Sequence, residues 1–255
     1  MRVLALDAAT EACSVALLSG EEEIARIGDG SRSQGERILE LVDAVLAAAG
    51  VTLSQLDGIA ASIGPGAFTG VRISVAVAQG LAFGAGLPVV PITTLEALAF
   101  DALTRRSPVP GGVAPGGVAP GAVARDDPSR MAIACLDARM GEVYVGGYVR
   151  DARRGLETRL APRLCAPQAL VLPPGRLVGI GRGFGAYPAL AGLPGLELAP
   201  GGAQALPDAR AMARLGMARL VAGEGLDAGR LEPLYLRDRV ALTEAERHAA
   251  RAPGD

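Results

Sequence analysis

Lysine and tryptophan are absent from this 255-residue chain, and histidine occurs once, at His248. Without lysine there is no Schiff-base nucleophile, and nothing for a Walker loop to extend toward phosphates. One histidine in a polar C-terminal tail cannot build a histidine-ligated zinc site, nor Ser-His-Asp or Cys-His chemistry. The three cysteines, Cys13, Cys135 and Cys165, are far apart and odd in number, which points to reduced thiols rather than a disulfide framework. Aromatic residues make up 3% of the chain, too few for a base-stacking platform. Twenty-five arginines against 27 acidic residues leave a net charge of −2, without the basic excess of a nucleic-acid binder. Asp7 and Glu11 interrupt the apolar N-terminus, so it makes a poor signal peptide, and no run approaches a charge-free membrane helix in length. A soluble cytoplasmic protein without membrane association is expected. The chemistry left to it is that of carboxylates, arginines and hydroxyls.

The chain is organised around residues 59–90. A short apolar run at 59–63 leads into Gly64-Pro65-Gly66-Ala67-Phe68-Thr69-Gly70, then a helical segment to about residue 85 and a second apolar run at 87–90. Strand, glycine loop, helix and strand make a βαβ unit with parallel strands. The loop is a poor phosphate cradle: Gly70 falls one place late for G-x-G-x-x-G, and Pro65 removes a backbone N–H. It reads as a tight turn with Thr69 capping the helix. Within the helix Ser74, Ala78 and Ala82 repeat every four residues, as do Ala76, Gly80 and Gly84. Small residues on two faces predict that the helix packs against something besides its own sheet.

Around that unit, residues 2–8, 13–18 and 22–28 read as three strands. Ser33 and Glu36 form an S-x-x-E capping box, opening a helix to Ala49 with Gly50 closing it. Ile38, Leu41, Val42, Val45 and Ala49 make its apolar stripe, and Leu39 and Leu46 widen it enough to suit a partner. A helix at 94–103 follows. Residues 108–122 contain Gly-Val-Ala-Pro-Gly twice in succession and read as a flexible insertion. Farther on, a strand at 176–180, a helix at 206–223 and an extended stretch at 233–237 are expected, with disorder after Thr243.

The second half echoes the first. The apolar run 131–136 ends at Asp137-Ala138 as Ala5-Leu6 leads into Asp7-Ala8, and 143–149 returns as 14–18 does. Two strand–Asp–turn–strand hairpins predict a duplicated α/β domain, with both aspartates able to face a cleft suited to a magnesium nucleotide. The turns are poor in glycine, however: Ala8, Ala9 and Thr10 follow Asp7, and Arg139 and Met140 crowd the second. Gly179-Ile180-Gly181-Arg182-Gly183 is the best remaining candidate for a nucleotide-contacting loop, although the reading as an ordinary strand-to-helix turn is favoured over it. A degenerate cleft comprising Asp7, Thr10, Asp137 and Gly181 is therefore expected.

The stretches LALDAATEACSVAL, GPGAFTGVRISVAVAQGLA, PVVPITTLEALA, LDARMGEVYVGGY and EPLYLR resemble the TsaB (YeaZ-like) family, which is related to the larger TsaD family. The likeness covers nearly the whole chain apart from 105–129 and the end, and residues 64–73 are its most specific part. It implies an α/β, two-lobed duplicated fold of the actin, sugar kinase and heat-shock chaperone ATPase superfamily. The lobes would be 1–107 and 130–223, separated by the insertion at 108–129 and followed by an extended tail at 224–255. It further implies a bacterial cytoplasmic factor for threonylcarbamoylation of the adenosine next to the anticodon, in tRNAs reading codons that begin with A. Catalysis and the metal would belong to TsaD, with TsaE completing the assembly. This chain would be a scaffold with no catalytic residue, metal or cofactor, meeting tRNA only through the complex. It would pair with TsaD, or with itself when alone, through the helices at 36–49 and 69–84. The residues implied are Ile38, Leu39, Val42, Leu46, Thr69, Arg72, Ser74, Ala78 and Ala82. Relatives often carry histidine at the position of Gln34, so no role is drawn from that residue. A competing reading from a different class is an ATP-dependent small-molecule kinase or ATPase using Asp7 and Asp137.

Overall fold

The computed structural model describes residues 1–28, 34–104 and 130–237. The expected Ser33 capping box, the insertion at 108–129 and the tail beyond residue 237 lie outside the described residues. The chain begins with β1 (Arg2–Asp7), β2 (Ser14–Ser19) and β3 (Glu22–Ile27), continues through α1 (Gln34–Ala49), β4 (Gly58–Ser62), α2 (Phe68–Ala85) and β5 (Val89–Ile92), and then forms α3 (Thr94–Thr104). From residue 131 onward come β6 (Met131–Arg139), β7 (Glu142–Asp151), β8 (Gly155–Cys165), β9 (Leu177–Ile180), α4 (Arg182–Ala186), β10 (Leu196–Leu198) and α5 (Ala209–Val221).

The two sheets repeat one plan. The first has the order β3-β2-β1-β4-β5 and the second β8-β7-β6-β9-β10. In each, the first three strands form an antiparallel meander and the last two run parallel to the first. The duplication expected from Asp7 and Asp137 thus extends across both whole sheets. Sequence reading missed β8 and β10.

Local sequence explains the central elements. Val3, Leu4, Ala5 and Leu6 are fully buried, because β1 has a neighbour on either edge and helices on both faces. On the outer face α1 contributes Ile38, Val42 and Val45, and α2 contributes Val75, Ala78 and Ala82, to a cluster with Leu4, Leu6, Ile59 and Ala61. On the inner face α5 packs against β1, β2 and β4, while α3 packs against β6, β7 and β9. The pair fills the space between the sheets. A Cβ on Gly216 would lie 2.6 Å from that of Ala60, so glycine is what lets α5 approach β4.

α3 carries a reciprocal cap: Thr93 N–H donates to Glu96 Oε2 at 2.8 Å and Glu96 N–H to Thr93 Oγ1 at 3.0 Å. The other oxygen of Glu96 pairs with Arg219 of α5, whose Nη1 also donates to the Pro91 carbonyl at 3.1 Å. Both charged side chains are about nine-tenths buried, so this pair ties the two helices inside the core. The expected helix at 206–223 is shorter, and Asp208 caps it by accepting from Arg210 N–H at 2.8 Å.

α2 differs from expectation at its start. Its N-cap is Ala67, with no side-chain cap, and Thr69 lies exposed in the first turn rather than capping. The loop is instead fastened by Ala67 N–H to the Ala9 carbonyl at 2.7 Å. By length and composition α2 is also the one helix among the described residues that could cross a bilayer, with mean hydropathy 1.3. Its inner side, at Val71, Ser74, Val75, Ala78 and Ala82, is taken up by packing in the fold.

Candidate functional site

A cleft of about 580 Å³ opens between the halves, bounded by the β1–β2 turn, the loop before α2, the β6–β7 turn and α4. Thr10 and Asp137 line it, as expected. Asp7 and Gly181 do not.

Asp7 is fully buried beneath its own turn, where Oδ1 accepts from Ala9 N–H at 2.9 Å. Burial pushes its carboxyl up to about 6; the Ala9 amide and Ser62 hydroxyl oppose the rise, and Asp208 adds slightly to it. Sealed beneath its turn, the Asp7 carboxyl forms no part of the cleft wall.

Gly181 is also committed to packing. A Cβ there would lie 2.1 Å from the Cys135 carbonyl oxygen, and its own N–H donates to the Gly202 carbonyl at 2.7 Å. Gly66 is used likewise, since a Cβ would lie 2.1 Å from the Ala9 carbonyl oxygen. Gly66 and Gly181, which sequence offered to a phosphate, therefore press against backbone.

The charged groups of the cleft neutralise one another. Asp137 Oδ1 accepts from Arg139 N–H at 2.9 Å, and its other oxygen pairs with the Arg139 guanidinium at 3.2 Å. Arg182 of α4 pairs with Glu11 from the other half. Arg139 and Met140 both have left-handed backbone, with φ of 62° and 54°. Such positions favour glycine, and here the first of them sets an arginine side chain on the cleft wall. Cys13 and Cys135 are pushed up to about 11 and about 12 by burial, so neither is a thiolate at neutral pH. Among the described residues no group of three histidine, cysteine, aspartate or glutamate side chains is placed to hold a metal ion.

The helix pair divides differently from expectation. Ile38, Val42, Ser74, Ala78 and Ala82 are all buried inside the chain's own fold and are unavailable to a partner. Ser74 is a strut, its Oγ accepting from Ala8 N–H at 2.7 Å. Leu39, Thr69 and Arg72 are exposed and Leu46 is half-buried. The outward stripe of α2 is the other one, Ala76, Gly80 and Gly84, and beside it Phe83 is 85% exposed. With Phe68, 48% exposed in the first turn, it leaves α2 with two bare aromatics. Sequence reasoning passed over it, and over Phe68 and Tyr235. The signal available was a large aromatic three residues after Gly80, on the stripe opposite the buried valines.

Comparison with known proteins agrees with this architecture. The TsaD family model, tRNA N6-adenosine threonylcarbamoyltransferase, matches residues 28–178. The chain is 36% identical over 246 residues to the tRNA threonylcarbamoyladenosine biosynthesis protein TsaB of Escherichia coli, covering 94% of this chain and 96% of that one. With the protein of the same name from Haemophilus influenzae it shares 34% identity over 251 residues, covering 94% and 95%. The solved structure of YeaZ from Pseudomonas aeruginosa superposes with a TM-score of 0.75 at 33% identity, covering 92% of this chain and 99% of that one. Another Pseudomonas aeruginosa structure, of an uncharacterized protein with similarity to peptidase YeaZ, gives a TM-score of 0.76 at 33% identity, with the same coverage.

Proposed function

The chain belongs to the TsaB family, and from that membership we propose that it is a non-catalytic scaffold subunit in threonylcarbamoylation of tRNA. It acts with TsaD, which carries the chemistry, and with TsaE in the full assembly. The modified base is the adenosine next to the anticodon in tRNAs reading codons that begin with A. Alone in the cytoplasm the chain pairs with itself, and it reaches tRNA only through the complex. The repeated sheet order supports placing the fold in the actin, sugar kinase and heat-shock chaperone ATPase superfamily. The proposed lobes are 1–107 and 130–223, joined by 108–129 and followed by 224–255.

One observation carries this reading: Phe83 stands 85% exposed on α2, next to α1 with its exposed Leu39. An aromatic and a leucine left in water on neighbouring helices suit a helix-bundle contact. Leu39, Leu46, Thr69 and Arg72 are the originally expected contact residues that remain available for it. Reconstitution tests the proposal. Modified adenosine forms from purified TsaD, TsaE, this chain, tRNA and the small substrates, and omission of the chain stops it. Undiminished modification without the chain contradicts the reading.

The kinase alternative draws on the size of the cleft. Its required aspartate pair is weakened by the burial of Asp7, and the guanidinium groups there already have carboxylate partners. Calorimetry with magnesium-ATP separates the two readings: tight binding that Asp137→Ala abolishes would favour the kinase.

A further inference from the structure

We propose that Arg72 anchors a carboxylate of the docking subunit, and that Tyr235, from the C-terminal stretch, is part of the same surface. The proposal rests on the scaffold reading above and specifies the chemistry of its contact. Arg72 is the one charged residue in the 18 residues of α2. Its guanidinium carbon lies 3.8 Å from the centroid of the Phe68 ring and 5.8 Å from that of Tyr235. Its Nε donates to the Tyr235 hydroxyl at 2.8 Å.

Tyr235 is held there from 163 residues away. Gln79 Nε2 donates to the Leu231 carbonyl at 2.9 Å, and Leu234 N–H donates to the Ile63 carbonyl at 2.8 Å. The ring is therefore in place before any partner arrives. Aromatic contact fixes the plane of the guanidinium, and the one hydrogen bond occupies Nε. Among the described residues no carboxylate pairs with Arg72, which leaves its terminal Nη donors for a ligand. A planar fork held rigid matches a carboxylate and loses little further freedom on binding.

The surroundings choose between a protein carboxylate and a nucleic-acid phosphate. Phe68 and Tyr235 are each 48% exposed, and the helix continues outward through Ala76 and Gly80 to Phe83. An arginine beside exposed aromatics in an apolar field has the composition of a protein hot spot. An RNA backbone calls for several cations along its path. α2 offers one.

The test is calorimetric titration of TsaD into the full chain and into its Arg72→Ala, Arg72→Lys and Tyr235→Phe variants, at low and high salt. Arg72→Ala is expected to weaken binding about tenfold or more and to remove most of its salt dependence. Arg72→Lys keeps the charge but lacks the fork, and is expected to lose most of that affinity as well. Tyr235→Phe, which removes only the hydrogen bond, should cost about threefold to tenfold. Thermal melts are expected to match those of the unmodified chain, since Arg72 is exposed. Unchanged affinity in Arg72→Ala overturns the proposal. So does a loss confined to self-association, which would assign the cluster to a second copy, or one confined to tRNA binding, which would assign it to phosphate. If the unmodified chain fails to bind TsaD at all, the scaffold reading itself falls, and that is evident before any variant is made.

Discussion

Asp7 closes β1 and Asp137 stands at the equivalent place in β6, two residues before its end, and each accepts a hydrogen bond from the amide two residues ahead at 2.9 Å. Their settings then part. The first turn is covered: Ser74 meets Ala8, Gly66 abuts Ala9, and Asp7 is sealed beneath. The second stays open, with Asp137 on the cleft wall paired to the exposed Arg139. Duplication preserved the hairpin while the packing of α2 on one copy made the two carboxyls chemically unlike.

Asp7 makes stability depend on pH. Its carboxyl in the fold lies near 6, above the ordinary 3.8, so the native state holds this proton more tightly than the unfolded chain. The contribution is full below about 3.8 and is lost as pH rises through 6, amounting to about 3 kcal/mol. Asp7→Asn keeps an acceptor for Ala9 and has no charge to desolvate. It is expected to melt several degrees above the unmodified chain at about pH 8 and to lose that advantage near pH 4. Thermal melts across this range check the sign.

Two glycines give opposite expectations for one methyl group. Gly66→Ala drives a Cβ into the Ala9 carbonyl, where only backbone can give way, and is expected to lose several kcal/mol, about 3 or more. Gly80→Ala meets nothing within 4 Å on the outer face of α2 and is expected to stabilise by about 1 kcal/mol. Chemical denaturation of both variants measures the contrast.

The pair between Glu96 and Arg219 joins α3 to α5 in the core between the sheets. Glu96→Gln leaves the Arg219 charge buried without its counter-ion and is expected to cost about 3 to 5 kcal/mol. Glu96→Gln together with Arg219→Met should recover part of that loss, because no unpaired charge remains. Equilibrium unfolding of the single and double variants provides the comparison.

Much of the fold was legible because strand and helix periods were strong. β1 and β6 read as apolar runs ending in aspartate, and α1, α2 and α3 fell within a few residues of their observed bounds. β8 was not legible: Glu157, Thr158, Arg159 and Arg163 are exposed on it and Pro162 interrupts it, as suits an edge strand but resembles a loop. At three residues β10 is too short to have a period. Thr93-x-x-Glu96 has the spacing of the reciprocal cap that opens α3, a signal the sequence reading passed over. The cleft was half legible, because sequence makes Asp7 and Asp137 look alike and cannot say which turn a helix will cover. On α2 the four-residue spacing revealed two small stripes without saying which faced the sheet. Val71 and Val75 settle that in three dimensions, since both point inward with Ser74 and Ala78.

That assignment changes which substitution probes docking. Ala78→Glu places a charge in the fully buried core and is expected to unfold the chain, so lost binding there would say nothing of a partner. Phe83→Glu changes an exposed side chain and is expected to leave the melting temperature within about 2 °C.

The most direct measurement is the affinity of TsaD for the unmodified chain and for Phe83→Glu, read by calorimetry on material whose fold has been checked by thermal melting. A central aromatic contact predicts a loss of at least about thirtyfold, with the fold intact. Equal affinities would contradict the claim that the outer face of α2 is where the scaffold meets its partner.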